Sequence, residues 1–193
     1  MQESAFLSTF GLVFLAELGD KTQLATLALA ARYRWRPVVA GVFAAFALLS
    51  AAAVAAGELA SSALPRAWVQ AAAGVLFLAF GVHALVRREA PEAENGPRER
   101  SLGPFASAFL LIFLAELGDK TQLATAGLAA QWRAPWAVFA GSCLALWAAS
   151  GLGLTAGVRL ARRVSPRWLA TAAGVLFLAF GLAALVPLLF GGG

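Results

Sequence analysis

The sequence contains almost none of the side chains on which thiol and imidazole chemistry depend. Among 193 residues there is one cysteine, Cys143, and one histidine, His83. A single cysteine forms no disulfide within the chain, and Cys143 lies in an apolar stretch where we expect a packed thiol. The sequence also shows no paired nucleophile and base and no cofactor-binding loop. We therefore expect neither an enzyme nor a resident cofactor.

Charged side chains are scarce as well. They make up 13% of the chain, and hydrophobic residues make up 61%, whereas a soluble domain is about 25% charged and about 45–50% apolar. The apolar residues form blocks of roughly 20, the length that crosses the hydrocarbon core of a bilayer. The alternating ten-residue patterns of membrane β-barrels are absent. The composition therefore predicts an all-α integral membrane protein embedded in a lipid bilayer.

The basic residues indicate topology rather than a nucleic-acid partner. The net charge is +5, but the arginines lie in the short loops between apolar blocks, so we expect no nucleic acid. We predict six transmembrane helices, at 5–31, 37–61, 67–86, 104–130, 135–160 and 166–190. The loops after the first, third and fifth spans hold most arginines, whereas the other two hold only Arg66 and Arg133. The positive-inside rule then predicts a bacterial cytoplasmic membrane protein with both termini outside.

A long repeat organises the chain. Thirteen residues from Phe14 to Thr26 recur letter for letter from Phe113 to Thr125. The similarity continues along the chain. Equivalent residues are 99 positions apart in the first span and, because of a one-residue insertion, 100 positions apart in the later spans. We therefore predict a first three-helix repeat at 1–87, a cytoplasmic linker at 88–103 and a second repeat at 104–193. Because each repeat holds an odd number of spans, the two should have inverted topology, as in many secondary transporters.

The repeated segment places charge at mid-membrane, where ionisable groups are costly and usually functional. The charged residues are Glu17, Asp20 and Lys21 in the first copy and Glu116, Asp119 and Lys120 in the second. On a continuous helix, the spacing i, i+3 and i+4 puts the three residues of each copy on one face. The four acids and two lysines sum to −2, which matches one divalent cation or about two protons. A purely structural alternative is an intrahelical ion pair between each glutamate and its lysine.

The surrounding side chains offer only oxygen ligands. We expect the four acids to bind a metal ion together with Gln23 and Gln122, while both lysines form ion pairs. Hydroxyl groups that could complete the site belong to Thr22, Thr121, Ser50 and Ser150. Oxygen ligands suit Ca²⁺, Mn²⁺ or Mg²⁺ rather than zinc or copper, and Mg²⁺ gives up water reluctantly. Gly19 and Gly118 either loosen the helix and free backbone carbonyls or allow close helix contact.

The two motifs resemble a family signature. Glu17-Leu18-Gly19-Asp20-Lys21-Thr22 and Glu116-Leu117-Gly118-Asp119-Lys120-Thr121 both match the Glu-x-Gly-Asp-Lys/Arg-Thr/Ser pattern of a cation transporter family of bacterial, chloroplast and Golgi membranes. The resemblance covers nearly the whole chain. It implies a Mn²⁺ or Ca²⁺ transporter that exchanges the cation for protons and binds it through the acids of both motifs.

Two other functions fit an acidic site in mid-membrane. One is an exporter of cationic amino acids or small organic cations, and the other is a non-transporting membrane subunit that uses the charges for assembly. The favoured prediction is a cation/proton exchanger with Mn²⁺ or Ca²⁺ as its transported substrate and export as its direction. The sequence leaves a homo-oligomer open.

Overall fold

The computed structural model describes residues 2–18, 26, 29–30, 33–86, 103–160 and 166–190. Across these residues the protein is all-α, with seven helices and no strand. The helices are α1 (Gln2–Glu17), α2 (Trp35–Ala63), α3 (Arg66–Val86), α4 (Pro104–Glu116), α5 (Lys120–Trp132), α6 (Pro135–Leu160) and α7 (Pro166–Phe190).

Four helices follow the predicted spans closely. The bounds of α2, α3, α6 and α7 lie within two residues of those predicted for the second, third, fifth and sixth spans. Three of the seven helices begin at proline, whose missing N–H would have no partner in the first helical turn. Among the described residues, α2 and the Pro135–Gly153 part of α6 are long and apolar enough to cross a membrane. The total of six spans stays a prediction.

The fourth predicted span is not one helix. Helix α4 ends at Glu116 and α5 begins at Lys120. Between them Leu117 is extended, and Gly118 has a φ of 82°, a backbone conformation that glycine adopts readily because it has no Cβ. The prediction that Glu116, Asp119 and Lys120 share one face of a continuous helix is therefore wrong. The sequence left open whether Gly118 loosens the helix or allows close helix contact, and the structure shows that the helix is broken at Gly118.

The second helix of each half packs on the first helix of the other half. A Cβ on Gly41 of α2 would overlap the backbone oxygen of Phe105 in α4. A Cβ on Gly141 of α6 would lie 2.8 Å from the backbone oxygen of Phe6 in α1. Gly41 and Gly141 are equivalent positions in the repeat, and so are Phe105 and Phe6. The same close helix contact therefore occurs twice in the molecule.

Helices α3 and α7 contact each other through glycines. A Cβ on Gly74 would lie 3.3 Å from the backbone oxygen of Gly181, and one on Gly81 would lie 3.0 Å from that of Gly174. The pairing of an early residue in one helix with a late residue in the other shows that the two run antiparallel. The four glycines let these helices approach closely.

Two apolar clusters pack the helices on either side of the break between α4 and α5. One contains Leu12, Phe77, Leu128, Val138 and Phe177. The other contains Val13, Val42, Phe46, Ile112 and Leu146. Leu12 and Val13 are neighbours on α1, so this helix contributes to both clusters. The guanidinium of Arg133, just after α5, donates a hydrogen bond of 3.2 Å to the backbone oxygen of Ser61 on α2. These contacts pack α1, α2 and α5 together.

Candidate metal centre

Acids from both copies of the repeated segment meet in the described structure. Glu17, Glu116 and Asp119 each offer a carboxylate oxygen, and these three oxygens all lie within 4.8 Å of one another. The side chain of Glu17 is fully buried, that of Glu116 is 2% exposed, and that of Asp119 is half-buried. The first half of the chain supplies one member of the cluster and the second half supplies two.

Helix ends explain how the two glutamates come to lie there. Glu17 is the last residue of α1, and Glu116 is the last residue of α4. The last carbonyls of a helix have no partner within it, and the aligned peptide dipoles leave a partial negative charge at that end. Two helix C-termini that each carry a buried glutamate therefore create a strongly electronegative region. A cation is the natural occupant of such a region.

Asp119 reaches the cluster because of where it stands in the break. It occupies the position directly before α5, where an aspartate usually accepts a hydrogen bond from the first helical turn. Its side chain makes no such capping bond here. Its backbone N–H donates to the oxygen of Glu116 at 3.1 Å, which ties the two acidic residues together across the turn. The carboxylate is thereby directed to the acidic cluster.

Gln122 supports the same turn from the first turn of α5. The backbone N–H of Gly118 donates to its side-chain oxygen at 2.8 Å. Gln122 also lines a narrow cavity beside Glu116 that has room for about one water molecule. The amide therefore holds the left-handed glycine in place and faces the cavity as well.

Hydroxyl groups form the rest of the polar lining of this cavity. They belong to Ser50 of α2, Thr121 and Thr125 of α5, and Ser142 of α6. The Ser50 and Ser142 hydroxyl oxygens are 2.9 Å apart, and those of Thr125 and Ser142 are 3.3 Å apart. Thr125 donates to the backbone oxygen of Thr121 at 2.7 Å. Oxygen atoms from three helices thus continue the polar surface away from Glu116.

The structure places the predicted site residues in several different surroundings. Ser50, Thr121 and Gln122 line the cavity beside Glu116. Ser150 is buried but does not line this cavity, and Lys120 is the half-buried first residue of α5. Four predicted residues lie outside the described part of the chain: Asp20, Lys21, Thr22 and Gln23.

Sequence reasoning missed Ser142. Its only signal was a polar residue inside an apolar stretch, with Val42 at the equivalent position of the first half. A membrane serine more often bonds within its own helix or to a neighbouring one. Its place in the cavity follows from the crossing of α2 and α6, which the pattern did not reveal.

The acidic cluster has the chemistry of a site for a hard cation. Its three members offer only carboxylate oxygen, the ligand type of Ca²⁺, Mg²⁺ and Mn²⁺. Ligands on opposite sides of one Ca²⁺ ion stand roughly 4.6–5.2 Å apart, whereas those of Mg²⁺ stand roughly 4.0–4.2 Å apart. Oxygens within 4.8 Å of one another are close enough to bind one divalent cation together.

Comparison with known proteins gives the family. Residues 5–92 and 104–190 match the profile described as "Divalent cation/proton antiporter GDT1". A "GDT1-like protein" of Synechocystis is 33% identical, over 93% of this chain and 95% of its own. "GDT1-like protein 5" of Oryza sativa is 29% identical, over 92% of both chains. A protein of Vibrio cholerae named "Putative manganese exporter" is 39% identical over 122 residues, which are 62% of this chain and 59% of that protein.

No solved structure matches the chain. The profile match includes both copies of the acidic motif and confirms the cation transporter family that the motifs indicated. The match covers almost the full chain, so the protein is a membrane protein and belongs to the GDT1 family of divalent cation/proton antiporters.

Proposed function

We propose that the protein is a secondary transporter that exchanges Mn²⁺ or Ca²⁺ for protons. The observation that carries this proposal is the meeting of Glu17 with Glu116 and Asp119, whose carboxylate oxygens lie within 4.8 Å of one another. These acids come from the two copies of one motif, so the cation is bound between the halves. The family description, divalent cation/proton antiporter, agrees with this chemistry.

The proposed architecture is six spans in two inverted three-helix repeats. The close contacts of Gly41 with Phe105 and of Gly141 with Phe6 support it, because they are equivalent in the repeat. The antiparallel packing of α3 on α7 supports it as well. We place the protein in a bacterial cytoplasmic membrane with both termini outside, following the arginine distribution. Rocking of one half against the other would expose the acidic cluster to each side in turn.

Proton coupling follows from the crowding of the acids. The two buried carboxylates, those of Glu17 and Glu116, are costly when both are ionised and no cation is present. Protons neutralise them when the cation leaves, and the cation displaces protons when it binds. Because both ions compete for the same oxygen atoms, the transporter moves one in exchange for the other. The exchange keeps the charge of the buried site low while the halves rearrange.

The size and ligand type of the site favour a bare metal ion. The cavity beside Glu116, as lined by the described residues, has room for about one water molecule, a size that suits a single ion. Carboxylate and hydroxyl oxygens favour Mn²⁺ and Ca²⁺ over zinc. The three acids also approach one another within a single chain, as a cation site requires.

Flux through purified protein tests the proposal. In proteoliposomes, we expect Mn²⁺ and Ca²⁺ to move faster than Mg²⁺ and Zn²⁺. An imposed pH gradient should accelerate their movement, and a cation gradient should drive protons the other way. A pH-sensitive dye inside the vesicles reports the protons. Cation flux that ignores the pH gradient would indicate a channel or uniporter instead.

Matched glutamate variants test the site. Glu17→Gln and Glu116→Gln each remove one carboxylate from the cluster, and we expect both to reduce cation flux to the background of empty vesicles. Glu3→Gln is the control, because it makes the same change at an exposed position in the first turn of α1. Flux at the wild-type level from both cluster variants would refute the proposed cation site.

A further inference from the structure

The hydroxyl groups beside the acidic cluster are ordered in one direction. A hydroxyl has one hydrogen to donate and two lone pairs that accept. The hydrogen of Thr125 is used on the backbone oxygen of Thr121, at 2.7 Å. In the 3.3 Å contact with Thr125, Ser142 is therefore the donor. Ser50 must then donate to Ser142 across 2.9 Å. The hydrogens run from Ser50 through Ser142 to Thr125.

This order determines what the cavity can bind. The hydroxyl hydrogens of Ser50, Ser142 and Thr125 are all directed to other oxygens of the protein. The oxygens of Ser50, Ser142 and Thr125 each keep a lone pair that can accept or coordinate. The neighbouring carboxylate of Glu116 adds negative charge to the same cavity. Lone pairs from three hydroxyl oxygens beside a carboxylate suit a cation better than an anion.

The equivalent positions in the other half lack this arrangement. Helices α2 and α6 cross antiparallel. Ser50 faces Ser142 at one end of their contact. Toward the other end of the contact, the ring of Phe43 stacks on that of Trp147, with the ring centroids 4.9 Å apart. The repeat equivalents of Ser50 and Ser142 are Ser150 and Val42. Val42 is fully buried in an apolar cluster. Without a second hydroxyl, that pair cannot form the same bond.

We propose that the hydroxyls of Ser50, Ser142 and Thr125 form a cation subsite through which the transported divalent ion passes to the carboxylates of Glu17, Glu116 and Asp119 on one side of the membrane. The subsite rests on the proposed transport function and gives it a direction. The side concerned is the one at which α5 ends and α6 begins, since Thr125 and Ser142 lie along that path. The ion exchanges part of its water shell for neutral hydroxyl oxygens before it meets the acids.

A pair of variants that differ by one oxygen tests the subsite. Ser142→Thr keeps the hydroxyl group. Ser142→Val introduces a side chain of almost the same shape as threonine but without a hydroxyl group. In Mn²⁺ flux assays, we expect Ser142→Val to have a KM about tenfold higher than Ser142→Thr. Thr125→Val removes a second oxygen with little change of shape and should raise KM in the same way.

Controls separate the subsite from the proposed function and from folding. Thr9→Val removes another buried hydroxyl, one that donates only within α1, to the backbone oxygen of Ala5 at 2.7 Å, and it should transport like the wild type. Size-exclusion elution verifies that each variant is folded. Equal KM values for Ser142→Val, Ser142→Thr and wild type would overturn the subsite and leave the transport function standing. A wild-type protein without Mn²⁺ or Ca²⁺ flux would overturn both.

Discussion

Gly118 is the residue that creates the turn between the two acids of the second motif. Its φ of 82° lies in the left-handed region, where a Cβ costs about 1–2 kcal/mol. A Cβ built there meets no atom of the described residues within 4 Å, so we attribute the penalty to the backbone. We predict that Gly118→Ala lowers the thermal midpoint in detergent and reduces cation flux. Gly118→Asn should be milder, because asparagine tolerates this conformation better.

The same substitution in a helix provides the comparison. Gly11 lies inside α1, and a Cβ there also meets no atom within 4 Å. Gly11→Ala should raise the midpoint, because alanine favours a helix interior over glycine by about 1 kcal/mol. If Gly118→Ala were as stabilising as Gly11→Ala, the left-handed turn would not be the conformation of the working protein.

The acids of the site could be predicted from sequence, but the backbone that joins them could not. Buried charge in a repeated segment indicated Glu17, Asp20, Glu116 and Asp119 as one group. Asp20 lies outside the described residues, and the structure brings Glu17, Glu116 and Asp119 together. They meet through a break in the fourth predicted span rather than on one helical face. A glycine between Leu117 and Asp119 is compatible with either conformation, and only the packed structure decides between them. The role of Ser142 could not be predicted either, because its hydrogen-bond partners lie on other helices.

At the scale of elements, close contacts between backbones hold the two halves together. Gly41 lies against Phe105 of α4, and Gly141 lies against Phe6 of α1. A backbone oxygen cannot move aside as a flexible side chain can. We predict that Gly41→Ala and Gly141→Ala each reduce the free energy of unfolding by about 1–3 kcal/mol. Thermal unfolding in detergent measures this as similar downward shifts of the midpoint.

Gly151→Ala distinguishes crowding from the mere presence of a methyl group. Gly151 lies in α6, the helix of Gly141, and a Cβ there meets no atom within 4 Å. This variant should keep or raise the midpoint. A loss of stability as large as that of Gly141→Ala would contradict the packing argument.

The ends of most helices could be predicted because they coincide with changes in composition. The bounds of α2, α3, α6 and α7 follow blocks of apolar residues that stop at arginine or proline. No such change marks the end of α4, because Glu116, Asp119 and Lys120 lie inside one predominantly apolar stretch that runs from Pro104 to Ala130. Hydrophobic length reports how far a chain can extend through a membrane, not whether the helix continues unbroken.

At the scale of the whole molecule, the proposed inverted repeat would place equivalent positions on opposite faces of the membrane. An inverted arrangement would also bring the C-terminal ends of α1 and α4 to one central site from opposite directions. A parallel arrangement would leave Glu17 and Glu116 at the same depth but with both helices entering from one side. The close approach of Glu17 to Glu116 does not by itself distinguish the inverted from the parallel arrangement. The side of the membrane on which equivalent loops lie does distinguish them.

Arg34 and Arg133 are equivalent loop positions, 99 residues apart, and both are exposed. We predict that a membrane-impermeant thiol reagent added to intact bacterial cells labels Arg133→Cys at once. It should label Arg34→Cys only after the membrane is permeabilised. The native Cys143 is 3% exposed and should stay unlabelled in the parent protein, which provides the background. Labelling of both introduced cysteines from the same side would refute the inverted repeat, because an odd number of spans per half requires that they face opposite sides.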